Sequence, residues 1–133
     1  MSYTILRVTQ FHDFVYDRVF RFADINTKVR LFPAGLRFQS IDLRDVCCKI
    51  EEVIKNGPTI SMRRIGGPEI LSSEDYIRGI EEMMKRSEVL GSIDQLSEFQ
   101  KMFTTGSNLC PNDRYGSITW KDFLIRKKDQ PSG

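Results

Sequence analysis

The chemistry this sequence offers is concentrated in one short run, Thr9-Gln10-Phe11-His12, which holds the single histidine of the chain. A histidine titrates near neutral pH and serves as acid, base or ligand, but it needs partners. Ser61, Ser72 and Ser73 lack the flanking glycines of a nucleophile elbow, so a hydrolase triad would depend on His12 by default. Glu51-Glu52 and Glu81-Glu82 fall on the polar sides of amphipathic helices, where a solvated face explains them better than an acid/base pair. Cys47, Cys48 and Cys110 form no CxxC spacing and lie far from His12 in sequence, which argues against a structural zinc and gives an expectation of no metal. Cys47 falls on a helical apolar stripe and is expected to be a small buried hydrophobe. Gly66-Gly67-Pro68 reads as a turn, since proline removes a backbone donor that a phosphate loop would need.

The elements that position these residues follow from periodicity. Tyr3 to Val8 mixes aromatic, β-branched and aliphatic residues and is read as a largely buried strand. From Phe11 to Ala23 the period becomes helical: Phe11, Phe14, Val15, Val19, Phe22 and Ala23 make one stripe, with Tyr16 and Phe20 on the far side. Such a helix needs cover on more than one side, and Thr9 and Gln10 are placed to cap it. Lys28 to Phe32 and Leu36 to Ile41 are expected as short strands around a Pro33-Ala34-Gly35 turn.

Asp42 is the expected N-cap of the clearest helix, with Asp45 in a near-capping-box position. Its stripe is Leu43, Val46, Cys47, Ile50, Val53 and Ile54, and it stops at Asn56-Gly57-Pro58. Thr59 to Ile65 is a further strand. Ser72 or Ser73 caps a helix with Tyr76, Ile77, Ile80, Met83 and Met84 on one face; Asp94 to Phe103 is another helix; Thr119 with Asp122 opens a last one, Trp120 to about Arg126.

Bulk properties bound the function. The chain has 133 residues, 40% apolar and 29% charged, the composition of one globular domain. Twenty basic against eighteen acidic residues, a net charge of +2, leave no electrostatic footprint for nucleic acid, and Arg126-Lys127-Lys128 suits a solvated helix end. No apolar run approaches the roughly 20 residues of a membrane span, and no signal peptide is visible. The cytoplasm is the expected location.

Several blocks in order resemble the NmrA-like, atypical short-chain dehydrogenase/reductase family. They are Thr4-Ile5-Leu6-Arg7 with Thr9-Gln10-Phe11-His12-Asp13-Phe14, and Pro33-Ala34-Gly35-Leu36-Arg37-Phe38-Gln39 with Ile41-Asp42-Leu43-Arg44-Asp45-Val46. Gly66-Gly67-Pro68-Glu69-Ile70-Leu71 and Gly116 to Leu124 follow. The resemblance is to the C-terminal half of such proteins. It implies an α/β fold: a partial Rossmann-like arrangement of a few mostly parallel strands with flanking helices, plus a small helical C-terminal lobe. Residues 1–133 are then a single domain, with a sheet and helix part over 1–65, a mostly helical substrate-side lobe over 66–128 and a frayed tail over 129–133.

By the same resemblance Thr9, Gln10, Phe11 and His12 are substrate-pocket candidates, with Arg37 and Gln39 a second group. Phe11 and His12 also suit plain core packing, since both continue the apolar region of the helix. The family's glycine fingerprint, GxGxxG or GxxGxxG after a strand, is absent. So is the Tyr-x-x-x-Lys pair: Tyr3, Tyr16, Tyr76 and Tyr115 are followed four residues later by Arg7, Phe20, Ile80 and Thr119. The expectation is no catalytic residue and no cofactor for this chain alone, NAD(P) belonging to an intact relative, and no nucleic-acid, membrane or metal partner. A separately encoded N-terminal Rossmann half or a homo-oligomer is the expected partner. A stand-alone protein-binding or regulatory module is the alternative, and a small independent reductase a distant third.

Overall fold

The computed structural model describes residues 3–21, 35–57, 61–84 and 103–129. Strand β1, Thr4–Val8, pairs in parallel with strand β2, Ser61–Ile65, in the register Thr4↔Ser61 to Val8↔Ile65.

 The pair β1–β2 forms the short parallel sheet, and a two-residue antiparallel ribbon, Arg37–Phe38 with Leu71–Ser72, stands beside it. Four helices belong to the described residues: α1 His12–Arg21, α2 Leu43–Lys55, α3 Ser73–Met84 and α4 Trp120–Asp129. This is a mixed α/β architecture with a short parallel sheet and flanking helices, Rossmann-like in part. The expected Lys28–Phe32 strand lies outside the described residues, as does the Asp94–Phe103 helix apart from Phe103, which sits in a turn.

Local chemistry sets the helix ends. Asp42 caps α2 by accepting from Arg44 N at 2.8 Å. Ser72, rather than Ser73, caps α3: its hydroxyl accepts from Asp75 N while the Asp75 carboxylate accepts from Ser72 N. Thr119 and Asp122 repeat that reciprocal pair at α4. Asp45 does not complete a capping box. It turns inward and accepts from Ser117 N and Ile118 N at 3.2 and 3.1 Å, because two orphan amides there need an acceptor.

Two apolar clusters hold the fold. The larger joins Val15 of α1, Phe38, Tyr76 and Ile80 of α3, and Trp120 and Leu124 of α4; the smaller joins Ile41, Val46 and Ile65 beneath the sheet. The two-sided helix α1 finds its second cover in α4, where Tyr16 meets the edge of Phe123 and Lys127 lies over the Tyr16 ring.

Two expectations of burial fail. β1 alternates instead of being buried throughout: Ile5 is 49% exposed, as is its register partner Met62 at 54%. Along α2 only Asp45 and Val46 are buried; Leu43, Cys47, Ile50 and Ile54 stand outward, Ile54 at 71%. The helix rests on the sheet by the flank that carries Asp45 and Val46, which rotates the rest of its apolar stripe away from the core. Cys47 is therefore an exposed thiol.

Candidate functional site

Residues 9–12 are fixed from both sides by backbone pairing. Thr9 N donates to Ile65 O at 3.2 Å, extending the sheet by one bond, while Ile41 N donates to Gln10 O at 3.0 Å and His12 N to Ile41 O at 2.9 Å. Thr9 does not cap α1, since its hydroxyl donates to the Gln39 carbonyl instead. The run thus leaves the carboxyl end of β1 on a rigid track. In open α/β sheets that end is where ligands bind.

A cleft of about 590 Å³ opens there. Thr9 and Gln10 line it, together with Arg7 and Arg64 from the strand ends, Phe14 and Phe103 as apolar wall, and Asn108 and Cys110 from the loop opposite. Its volume lies in the range of small-molecule sites. Gln10 Oε1 and Asn108 Oδ1 are buried without a hydrogen-bond partner, although Asn108 Nδ2 donates to Arg37 O at 2.8 Å. Burial pushes the Cys110 thiol above its ordinary pKa, and Asp113 adds to the rise against the opposing pull of Arg64. A thiol so placed stays protonated at neutral pH and is a poor nucleophile.

The other sequence candidates take different places. His12 is 2% exposed and packed, tilted, against the stacked rings of Trp120 and Phe123. Its Nε2 lies 2.9 Å from Ile118 O and its Nδ1 2.7 Å from Ser40 Oγ, which in turn lies 2.8 Å from Tyr76 OH. A carbonyl only accepts, so Nε2 donates, and in the neutral ring Nδ1 accepts from Ser40. Burial lowers the His12 pKa, overriding the opposing effects of the Ile118 bond and of Asp42.

Gln39 is wholly buried and saturated: its amide nitrogen donates to Gly67 O and Cys110 O, and its amide oxygen accepts from Cys110 N. Arg37 is exposed, with its backbone N–H on Phe103 O. Phe11 forms an isolated bridge to Ile41 and keeps part of its ring in solvent. The structure therefore gathers Thr9 and Gln10 at the cleft and spends His12 and Gln39 on holding its surroundings together.

Gly66-Gly67 is also a packing feature rather than a turn. A Cβ on Gly67 would run into the Ser40 carbonyl, and one on Gly66 into the Gln39 amide. Gly66 bonds Asp113 and Tyr115 on its other side. Arg7, Arg64, Asn108 and Cys110 were not anticipated as cleft residues. The signal available was the pair Arg63-Arg64 inside an otherwise strand-like run, immediately before two glycines.

Among the described residues, the helix N-termini do not fit the diphosphate of a dinucleotide. The first N–H of α1 is committed to Ile41 O. The starts of α2, α3 and α4 carry the carboxylates of Asp42, Asp75 and Asp122, whose negative charge opposes a phosphate at the same helix ends. Burial would raise the Asp42 pKa, but the hydrogen bonds and charge of Arg44 outweigh it and hold the carboxyl below its ordinary value. Among the described residues no cluster of three or more His, Cys, Asp or Glu is placed to hold a metal, and no helix is long and apolar enough to cross a membrane.

No protein-family model matches the chain, and no curated protein matches it by sequence. Among solved structures it is similar to a nucleoside-diphosphate-sugar epimerase from Staphylococcus aureus, with a TM-score of 0.61 at 15% identity. The match covers 94% of this chain and 52% of that one, so the chain spans about half the length of the structure it resembles and shares its fold over that half.

Proposed function

We propose that this chain is the C-terminal, substrate-side part of an NmrA-like NAD(P)-dependent reductase or redox-sensing protein, inactive alone because the glycine-rich cofactor loop is supplied from outside these residues. The observation that carries the reading is the likeness over 94% of this chain to 52% of an epimerase structure. The cleft at the carboxyl ends of β1 and β2 supports it, since that is the substrate side of such a sheet. The sequence supports it too: no glycine fingerprint follows either strand, and no tyrosine has a lysine four residues on.

The partner in this proposal is a Rossmann half carrying the fingerprint, encoded separately or in adjoining chain, and NAD(P) is the cofactor of the completed assembly. Exposed Ile5 and Met62 give the sheet an apolar face for that half to cover. Titrating NADPH into the purified chain and following nicotinamide fluorescence tests the reading. No change in emission is expected up to millimolar cofactor, and saturable enhancement would overturn it.

A further inference from the structure

We infer that the outward face of α2 is the contact surface of a weak, antiparallel dimer with a second copy of this chain. The surface lies across the sheet from Ile5 and Met62, since Leu6, Val8 and Ile65 of the opposite face pack with Val46 of α2. It is separate from the face that a Rossmann half would cover, so the dimer stands whether or not that half exists.

Leu43, Cys47, Ile50 and Ile54 follow one another along α2 at steps of four, three and four residues, the spacing of a helix–helix seam. All four are exposed, Leu43 at 50% and Ile50 at 44%. The steps are the same from either end of the helix. A second copy laid antiparallel about a two-fold axis midway between Cys47 and Ile50 therefore sets Leu43 against Ile54 of the other copy, and Cys47 against its Ile50. Such an axis makes every contact twice. The small Cys47 faces the large Ile50 in both central layers, which lets the two helices interdigitate.

The charges at the rim of the seam select that partner. Arg44, Glu51 and Lys55 stand on one flank of α2 in two pairs: Arg44 Nε lies 2.9 Å from Asp42 Oδ1, and Lys55 Nζ 3.1 Å from Glu51 Oε1. The antiparallel register offsets Glu51 from Arg44 of the other copy by only two residues, about 3 Å along the axis. Asp42–Arg44 of one copy then joins Glu51–Lys55 of the other end to end, an alternating row of four charges on each side of the two-fold axis. A parallel copy lacks this match, because Glu51 would face the flank that carries Val46, which is buried against the sheet. Four seam positions on a 13-residue helix cover far less than the ~800 Å² per partner of a standard interface. The dimer is accordingly reversible and forms at high concentration.

The test is oxidative trapping of the intact chain with diamide, which takes up the two hydrogens that a pair of thiols loses on forming a disulfide. The product is read by non-reducing electrophoresis over a concentration series up to millimolar chain. In the antiparallel pair the two Cys47 are offset by about 4.5 Å along the axis on helices roughly 8–10 Å apart. Their Cα atoms then lie about 6–7 Å from each other, close to the span of a disulfide. Cys48 is turned off the seam, and Cys110 is buried. A dimer band whose yield rises with concentration is expected; Cys47→Ser removes it and Cys48→Ser leaves it unchanged. Ile50→Glu lowers the yield about tenfold by setting a charge in the apolar seam. Glu51→Lys lowers it about threefold, the scale of two exposed ion pairs, and adding Arg44→Glu restores it. Replacing Ile5 and Met62 by threonine, across the sheet, leaves the yield unchanged.

No dimer band at millimolar chain would overturn the inference and leave the seam to a helix of another protein. Equal loss in Cys47→Ser and Cys48→Ser, or a yield that Ile50→Glu does not lower, would overturn it as well. Restoration by the charge exchange between Glu51 and Arg44 separates a lost contact from lost folding, since a misfolded single variant gains nothing from the second change. Saturable NADPH fluorescence bears on the proposed function alone, so the two fail separately.

Discussion

His12 and Ile118, 106 residues apart in sequence, are joined by a ring N–H to carbonyl bond of 2.9 Å that ties the start of α1 to the turn before α4. The same ring is bonded to Ser40 at 2.7 Å, so three separate segments meet on one imidazole. That arrangement requires the neutral ring. A proton added at Nδ1 would face a Ser40 hydroxyl already directed toward it, and the Ser40 and Tyr76 hydroxyls would both have to turn.

Acid stability follows from this bond. Burial lowers the His12 pKa in the folded state below its unfolded value near 6.5. The unfolded chain then binds more protons, so the contribution is fully present above about pH 6.5 and is lost as pH falls toward the folded pKa. The melting temperature should fall from pH 7.5 to pH 5.5. Since the sequence has one histidine, His12→Phe should flatten that dependence while costing about 2–4 kcal/mol of stability for the polar groups left unpaired. An equally steep pH profile in the variant would contradict the assignment.

Gly116→Ala should be more destabilising than Gly57→Ala. Both glycines have positive φ, 89° and 78°, where an L side chain costs roughly 1–2 kcal/mol. Around Gly57 there is open space, whereas a Cβ on Gly116 would strike the Asp45 carboxylate that holds Ser117 N and Ile118 N. Urea midpoints of the two variants decide it. Equal shifts would mean that Asp45 does not hold the turn.

Gln39→Leu and Gln10→Met should separate the scaffold from the cleft. The first leaves Cys110 N and O and Gly67 O buried without their partner, a loss of about 3 kcal/mol or more. The second removes an acceptor that has no partner in the chain and should leave the urea midpoint within about 0.5 kcal/mol of the parent. A large loss in Gln10→Met would place that side chain in the scaffold.

The contrast between these glutamines marks how far the sequence could be read. Helix α2 was legible from Asp42 to Gly57, and the Thr119–Asp122 start of α4 was legible, because both rest on side-chain to backbone bonds within three residues. The strand cores Thr4–Val8 and Ser61–Ile65 were legible from β-branched and aliphatic runs. What sequence does not carry is rotation and long-range partnership. The outward turn of Leu43, Ile50 and Ile54 depends on which flank of α2 meets the sheet. Of the six cleft candidates, Thr9 and Gln10 line it, while Gln39 and His12 are consumed by partners 71 and 106 residues away. The Arg7–Arg64 pairing becomes visible only once the register is known.

The exposed face of the sheet gives a prediction on association. Ile5 and Met62 are register partners with about half their surface in solvent. Replacing both by threonine, which keeps strand propensity, should leave the urea midpoint within about 1 kcal/mol and raise the concentration at which the chain self-associates in sedimentation velocity. Unchanged association would show that this face is not the sticky one.

The measurement closest to the central claim is a thermal melt of the purified chain with millimolar NADPH, set beside the same concentration of inorganic pyrophosphate. A ligand that binds only the folded state must raise the midpoint. The account predicts that NADPH gives no shift beyond that of pyrophosphate, because in the proposed reading the cofactor grip is supplied from outside these residues. A larger upward shift with NADPH would mean that a complete cofactor site exists within these residues, and would contradict the account.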